Sequence, residues 1–342
     1  MATQQRLITL SATLLAAAAT TTLVLVSCVH LAETTFFDKF FYQKSGTYGY
    51  SGYTESLAHS PRNADMYRFG LLKDDAFAFP DDSQVKGAAD DGSYKVAVVG
   101  DSFAWGQGVK ESDRLSEVLE RKLNQTRKTK VFSLGLQAES ILDAVAKIEA
   151  ISKSESIDLF VIPAVQNDAL LLDEGRYNRY HSPAAQNIVD DCLTKYPDQK
   201  PLTYPNWLNV SPDQVEAVTQ KLDEDTSAAW TTQPNTCIAE ASLTKIREIT
   251  QGKTLFIITD DYTQDQSQFG PYKAMLDTAE LPFVRSIDLK ESPEFEKYWQ
   301  HPEKSFHVSA KEGHPSAVAY RMYAAVIARE LLQDTRWSFV TR

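Results

Sequence analysis

Val98-Val99-Gly100-Asp101-Ser102-Phe103-Ala104-Trp105-Gly106-Gln107-Gly108-Val109 closes an apolar run at residues 94–99 and passes at once into a glycine-flanked turn. The run reads as a buried strand and the glycines as the punctuation that ends it. A strand that delivers a serine into such a turn holds the hydroxyl at the strand's carboxyl end. Backbone N–H groups at the start of the next helix can stabilise an oxyanion there. The stretch is not a phosphate loop, because it lacks a Gly-Lys-Ser/Thr ending, and its glycines do not match the dinucleotide fingerprint. A Gly-Asp-Ser turn can also do no more than cap a helix, so the surrounding chain has to decide between the two roles.

Downstream, short apolar runs alternate with helix-like segments. Strands are predicted at 130–134, 157–165, 254–259 and 283–289, and helices at 112–126, 139–153, 239–250, 270–279 and 315–332. That order predicts an α/β domain of three α/β/α layers, a mostly parallel sheet with helices on both faces. The interval 175–239 breaks the rhythm with Tyr-Pro and Ser-Pro steps, the run Tyr204-Pro205-Asn206-Trp207, and both Cys192 and Cys237. It is expected to be an irregular insertion over one sheet edge, entering after a strand end where it shapes the crevice. Its cysteines either close a disulfide or remain buried thiols.

Upstream, residues 34–90 are rich in Tyr, Phe, Gly, Ser and Asp without a sustained period, which predicts a connector and an irregular, partly packed lead-in. The folded domain therefore occupies 91–342. Residues 1–33 contain the 25-residue stretch 7–31, free of Asp, Glu, Lys and Arg. Its helical rise suffices to cross a bilayer core of about 30 Å. Three readings stay open: a retained N-terminal membrane helix, a cleaved signal, or a lipoprotein signal in which Leu25-Val26-Ser27-Cys28 places Cys28 as the lipidated residue. Any of the three sends the domain out of the cytoplasm, to the periplasm or the cell surface. Arg6 on one side and Glu33, Asp38, Lys39 and Lys44 on the other leave the orienting charge bias weak.

A chain of 342 residues, 43% hydrophobic and 24% charged, buries a full core. Its net charge of −11 excludes a nucleic-acid partner, which would need a basic face. No His, Cys, Asp or Glu cluster has metal-ligand spacing, so neither metal nor other cofactor is expected.

Four sequence blocks resemble those of the SGNH/GDSL hydrolases, in particular the membrane-anchored, bacterial-type members. These are Gly100-Asp101-Ser102-Phe103, Phe132-Ser133-Leu134-Gly135, Val165-Gln166-Asn167-Asp168 and Glu312-Gly313-His314-Pro315. The resemblance covers about 94–175 and 254–333. It departs from the family at Val165, where a glycine is usual. It implies a flavodoxin-like sheet and a serine esterase or O-acyltransferase with Ser102 as nucleophile and His314 as base. The same resemblance makes the oxyanion donors the backbone N–H of Ser102, the backbone N–H of Gly135 and the side-chain amide of Asn167.

Ester chemistry requires these types: the serine loses a proton as it attacks, and a neutral imidazole near pH 7 can take it. The family's usual aspartate three residues before the histidine is Lys311 here. Either Glu312 orients His314, or the pair works as a Ser–His dyad. Asp101 is expected to stabilise the turn, Asp168 to support the Asn167 turn, His307 to lie at a surface or strand end, and Asp260-Asp261 to terminate a strand.

The expected substrate is an acylated polysaccharide or other ester, especially acetyl esters of cell-envelope glycans. A second reading makes the chain a weakly active binding or assembly subunit docked to a membrane-bound acyltransferase.

Overall fold

The computed structural model describes residues 63–73, 76–77, 91–172, 177–205, 214–259, 269–309 and 312–340. The 7–31 stretch, Cys28 and Asp260-Asp261 lie outside them. Among the described residues no helix is long and apolar enough to cross a membrane.

The quoted stretch begins in strand β1 (Tyr94–Gly100), all seven residues of which are buried. A strand covered on both faces needs a continuous apolar run in place of alternation, which is why this one reads so plainly. It is followed by β2 (Thr129–Gly135), β3 (Leu159–Ala164), β4 (Thr254–Ile258) and β5 (Phe283–Arg285). These form one sheet in the order β2-β1-β3-β4-β5, with every neighbouring pair parallel. The chain leaves β1 for β2 on one side and returns to β3 on the other. The carboxyl ends of β1 and β3 therefore flank the switch point at which open α/β sheets form their crevice.

Successive Cβ atoms in a strand point to opposite faces, and this splits the core in two. Ala97, Val99, Phe132, Phe160 and Ile162 pack against helices α4 (Ile141–Ser154) and α7 (Asn235–Thr250). Val96, Val98, Leu159, Val161 and Ile257 pack against α3 (Leu115–Leu123) and α9 (Ala317–Gln333). Burying each such side chain contributes about 1.5–3 kcal/mol.

Part of the lead-in, residues 63–73 and 76–77, lies among the described residues. Its helical turn α1 (Ala64–Arg68) and the residues after it bury Met66, Phe69 and Leu71 completely. Phe69 meets Phe132 edge-on at 5.4 Å. The outer N–H groups of edge strand β2 are capped by carboxylates, Val131 N donating to Glu120 Oε2 at 2.7 Å and Ser133 N to Asp65 Oδ2 at 2.8 Å. An edge treated this way cannot recruit a foreign strand.

The insertion is largely helical where irregular chain is expected. It contains α5 (Pro183–Lys195) and α6 (Val215–Ala229), and α7 begins at Asn235, ahead of the expected 239. The Ser182-Pro183 step that reads as a breaker is a helix start: Ser182 Oγ accepts from Ala185 N, and proline at the first helical position gives up no needed donor. The expected strand 283–289 is only Phe283–Arg285, followed by a 3-10 turn at Ser286–Leu289. Short buried apolar runs do not distinguish these two forms by period.

Cys192 on α5 and Cys237 on α7 are joined in a disulfide, with Cα atoms 5.9 Å apart and a sequence separation of 45. Closing a loop of that length is worth about 2–4 kcal/mol against the unfolded chain. Replacing both cysteines by alanine should therefore lower the urea midpoint of the full-length protein and steepen the transition, because the released unfolded chain exposes more surface. Coincident unfolding curves would show that the bond contributes nothing.

Candidate active site

Beyond β1 the chain turns into α2 (Ser102–Trp105), whose N-cap is Asp101: its Oδ1 accepts from Phe103 N at 2.9 Å. The single turn ends at Gly106, which takes a left-handed φ of 81° that a side chain would disfavour. Ser102, 6% exposed, is thus fixed at the carboxyl end of the central strand. His314 lies on β7 (Glu312–Pro315), the outer arm of a short antiparallel ladder with β6 (His307–Ser309).

His314 Nε2 stands 2.8 Å from Ser102 Oγ across 212 residues of sequence. The hydroxyl's other acceptor is Asp101 Oδ2 at 3.2 Å, so the imidazole is the nearer of the two. The separation is held from several sides. Ser316 N donates to Phe306 O at 2.7 Å. Tyr320 Oη of α9 donates to Phe103 O of α2 at 2.9 Å, and the imidazole packs tilted against the Phe103 ring at 5.4 Å.

Gly135 ends β2 opposite Gly100 in the ladder. A Cβ there would stand 2.1 Å from Trp105 N and 2.4 Å from Ala104 C, so helix α2 rests on the bare glycine backbone. Period-two alternation makes the Gly135 N–H the next outward donor after those of Val131 and Ser133.

Asn167 sits in a 3-10 turn, Gln166–Ala169, just past β3. Asp168 Oδ2 accepts from Val165 N and from Tyr272 Oη, both at 2.9 Å. Trp230 Nε1 donates to Gln166 O while its ring stacks on Tyr272 at 4.3 Å. Asn235 Nδ2 donates to Ala169 O at 2.8 Å. The Asn167 Oδ1 is buried without a hydrogen-bond partner among the described residues.

Ser102, Gly135 and Asn167 thus occupy the carboxyl ends of three adjoining strands, with His314 against the serine. Asp101 and Asp168 act as turn carboxylates. His307 is half-buried and pairs across the β6–β7 ladder with Pro315. Glu312 contributes its backbone to β7 opposite Ser309; its side chain lies outside the described residues.

Burial pushes the carboxyls of Asp101 and Asp168 up, and the charge of Asp101 pushes Asp168 further. The Phe103 N–H and then the His314 charge oppose the rise in Asp101. Lys147 pulls both carboxyls down.

Lys147 was missed in the sequence. Fully buried on α4, its Nζ donates to Gly100 O at 2.7 Å, to Leu134 O at 2.5 Å and to the carboxylate of Glu139. Burial pushes Glu139 up to about 7, opposed by Lys147 and Arg179. Glu139 also accepts from Tyr180 Oη, and Arg179 Nη1 lies 3.6 Å from its Oε1. The available signal was a charged pair, Asp143 and Lys147, spaced i, i+4 within an otherwise apolar helix face.

No family model matches the chain, and no curated protein does. Solved structures do. The crystal structure of TesA is 14% identical, with 69% of this chain and 97% of that one covered at a TM-score of 0.39. A lipase/acylhydrolase from Enterococcus faecalis is 18% identical over 69% and 94% of the two chains, TM-score 0.38. A member of the lipolytic protein G-D-S-L family from Veillonella parvula DSM 2008 is 12% identical over 70% and 99%, TM-score 0.37.

Because backbone atoms of α2 occupy the space a side chain would need, Gly135→Ala should displace α2 and Ser102 with it. The variant is expected to stay folded by far-UV circular dichroism and to lose labelling of Ser102 by a fluorophosphonate. Labelling at the wild-type rate would mean that α2 does not depend on the glycine.

Proposed function

We propose that the chain is a serine ester hydrolase or O-acyltransferase of the SGNH/GDSL type, with Ser102 as nucleophile and His314 as general base. The observation that carries this is the 2.8 Å contact between His314 Nε2 and Ser102 Oγ at the carboxyl end of a parallel sheet. With the ring proton on Nδ1, Nε2 accepts the serine proton as Oγ attacks the acyl carbon, and the carbonyl oxygen becomes an oxyanion. The N–H groups of Ser102 and Gly135 and the amide of Asn167 are assigned to that oxygen. Collapse of the tetrahedral intermediate breaks the ester C–O bond, and the imidazolium returns its proton to the departing alkoxide. Water or an acceptor hydroxyl, deprotonated by His314, then attacks the acyl-serine and releases acid or a new ester. Glu312 is our choice for the carboxylate that holds the Nδ1 proton, and Glu312→Gln should slow acylation strongly.

The site is assigned to the outside of the cytoplasm. The apolar 7–31 stretch supports this, and so does the Cys192–Cys237 bond, since such bonds persist in oxidising compartments. An enzyme so placed meets acyl, especially acetyl, esters of envelope glycans, which we take as its substrates. Mass spectrometry of an acylated glycan mixture before and after exposure to the full-length protein tests this through loss or gain of acyl mass.

Ser102→Ala should abolish hydrolysis of a short-chain aryl ester and all fluorophosphonate labelling while leaving the unfolding midpoint in place. Wild-type protein that folds yet takes no label would favour the assembly-subunit reading. Asn167→Ala should lower kcat by about 10²–10³-fold with little change in KM, because its amide meets charge that exists only in the transition state. A loss confined to KM would make Asn167 a substrate contact.

A further inference from the structure

Fully buried lysines are rare and need a reason. Lys147 reaches from α4 to the ends of the two strands that carry the site. Its Nζ hydrogen-bonds Leu134 O at 2.5 Å and Gly100 O at 2.7 Å, with the Glu139 carboxylate as third acceptor. Three donors thus meet three acceptors. Each carbonyl belongs to a peptide group whose N–H lies at the next residue, Gly135 in one case and Asp101 in the other. In a planar trans peptide the C=O and N–H bonds point in opposite directions. An ammonium fastened to Leu134 O therefore fixes where the Gly135 N–H points. It also draws electron density toward the carbonyl, which makes that N–H a stronger donor.

The surroundings sharpen the case. Asp101 and Asp168 are both buried beside the site, where burial opposes their ionisation. The positive charge of Lys147 acts on both of them. Glu139 in turn is held by Tyr180 and Arg179, and Arg179 also donates to Gln137 O and Ala138 O, each at 3.2 Å. The lysine is therefore clamped from the side of the insertion.

We infer that Lys147 is a positioning residue for the oxyanion hole: it aims and polarises the Gly135 N–H from behind the peptide plane. This rests on the serine-hydrolase reading above.

The test compares wild type and Lys147→Met, full-length in detergent, on an aryl ester and on its thionoester, whose sulfur accepts hydrogen bonds poorly. Lys147→Met should lose about 10²-fold in kcat on the ester with KM nearly unchanged. Its preference for ester over thionoester should shrink by about tenfold, because the lysine acts through the donor that the sulfur already forfeits. An equal loss on both substrates would mean a structural role alone and overturn the inference. Fluorophosphonate labelling of the wild type with unaltered kinetics in Lys147→Met would overturn it while leaving the hydrolase reading standing. An unlabelled, folded wild type would overturn both. Should Lys147→Met fail to fold, the double variant Lys147→Met, Glu139→Gln removes the ion pair without stranding a charge, and the same ester-to-thionoester ratio decides.

Discussion

Side chains are missing from both Gly100 and Gly135 where β1 and β2 pair at their carboxyl ends, and helix α2 lies in the space this leaves at Gly135. Everything the site does follows from that close approach. A helix that could not settle onto the strand end would carry Ser102 away from His314, whose own position is fixed through β7 and the Ser316 N–H bond to Phe306 O. The contact is between backbones, so no rotamer change elsewhere can substitute for it.

The insertion is part of this arrangement. Trp230, at the end of α6, and Asn235, at the start of α7, hold the carbonyls on either side of Asn167, while Arg179 and Tyr180 hold Glu139 and through it Lys147. The disulfide binds α5 to α7 and so ties the two anchoring segments together. Two of the three adjoining strand ends thus receive support from a segment that interrupts the sheet's regular alternation.

Charge under the site is set by buried side chains acting on one another. Asp101 and Asp168 cap turns by accepting backbone N–H groups, and their proximity raises the cost of ionising both. A buried ion pair such as Lys147–Glu139 seldom adds net stability over apolar packing. Its presence is better understood through the strand-end carbonyls it engages than through the stability of the fold.

The sheet was largely legible from the chain, because strands buried on both faces must be mostly apolar, and Tyr94 to Gly100 is so apart from Lys95, which meets Glu155. The blocks around Ser102, Gly135, Asn167 and His314 were legible too, because each is a short local run of residues. That His314 meets Ser102 across 212 positions, and that Lys147 serves two strand ends at once, emerges only once the chain has folded. These are contacts between segments far apart in the chain. Period, capping preference and turn chemistry report on a residue's immediate neighbours and carry no record of which distant backbone will be packed against it.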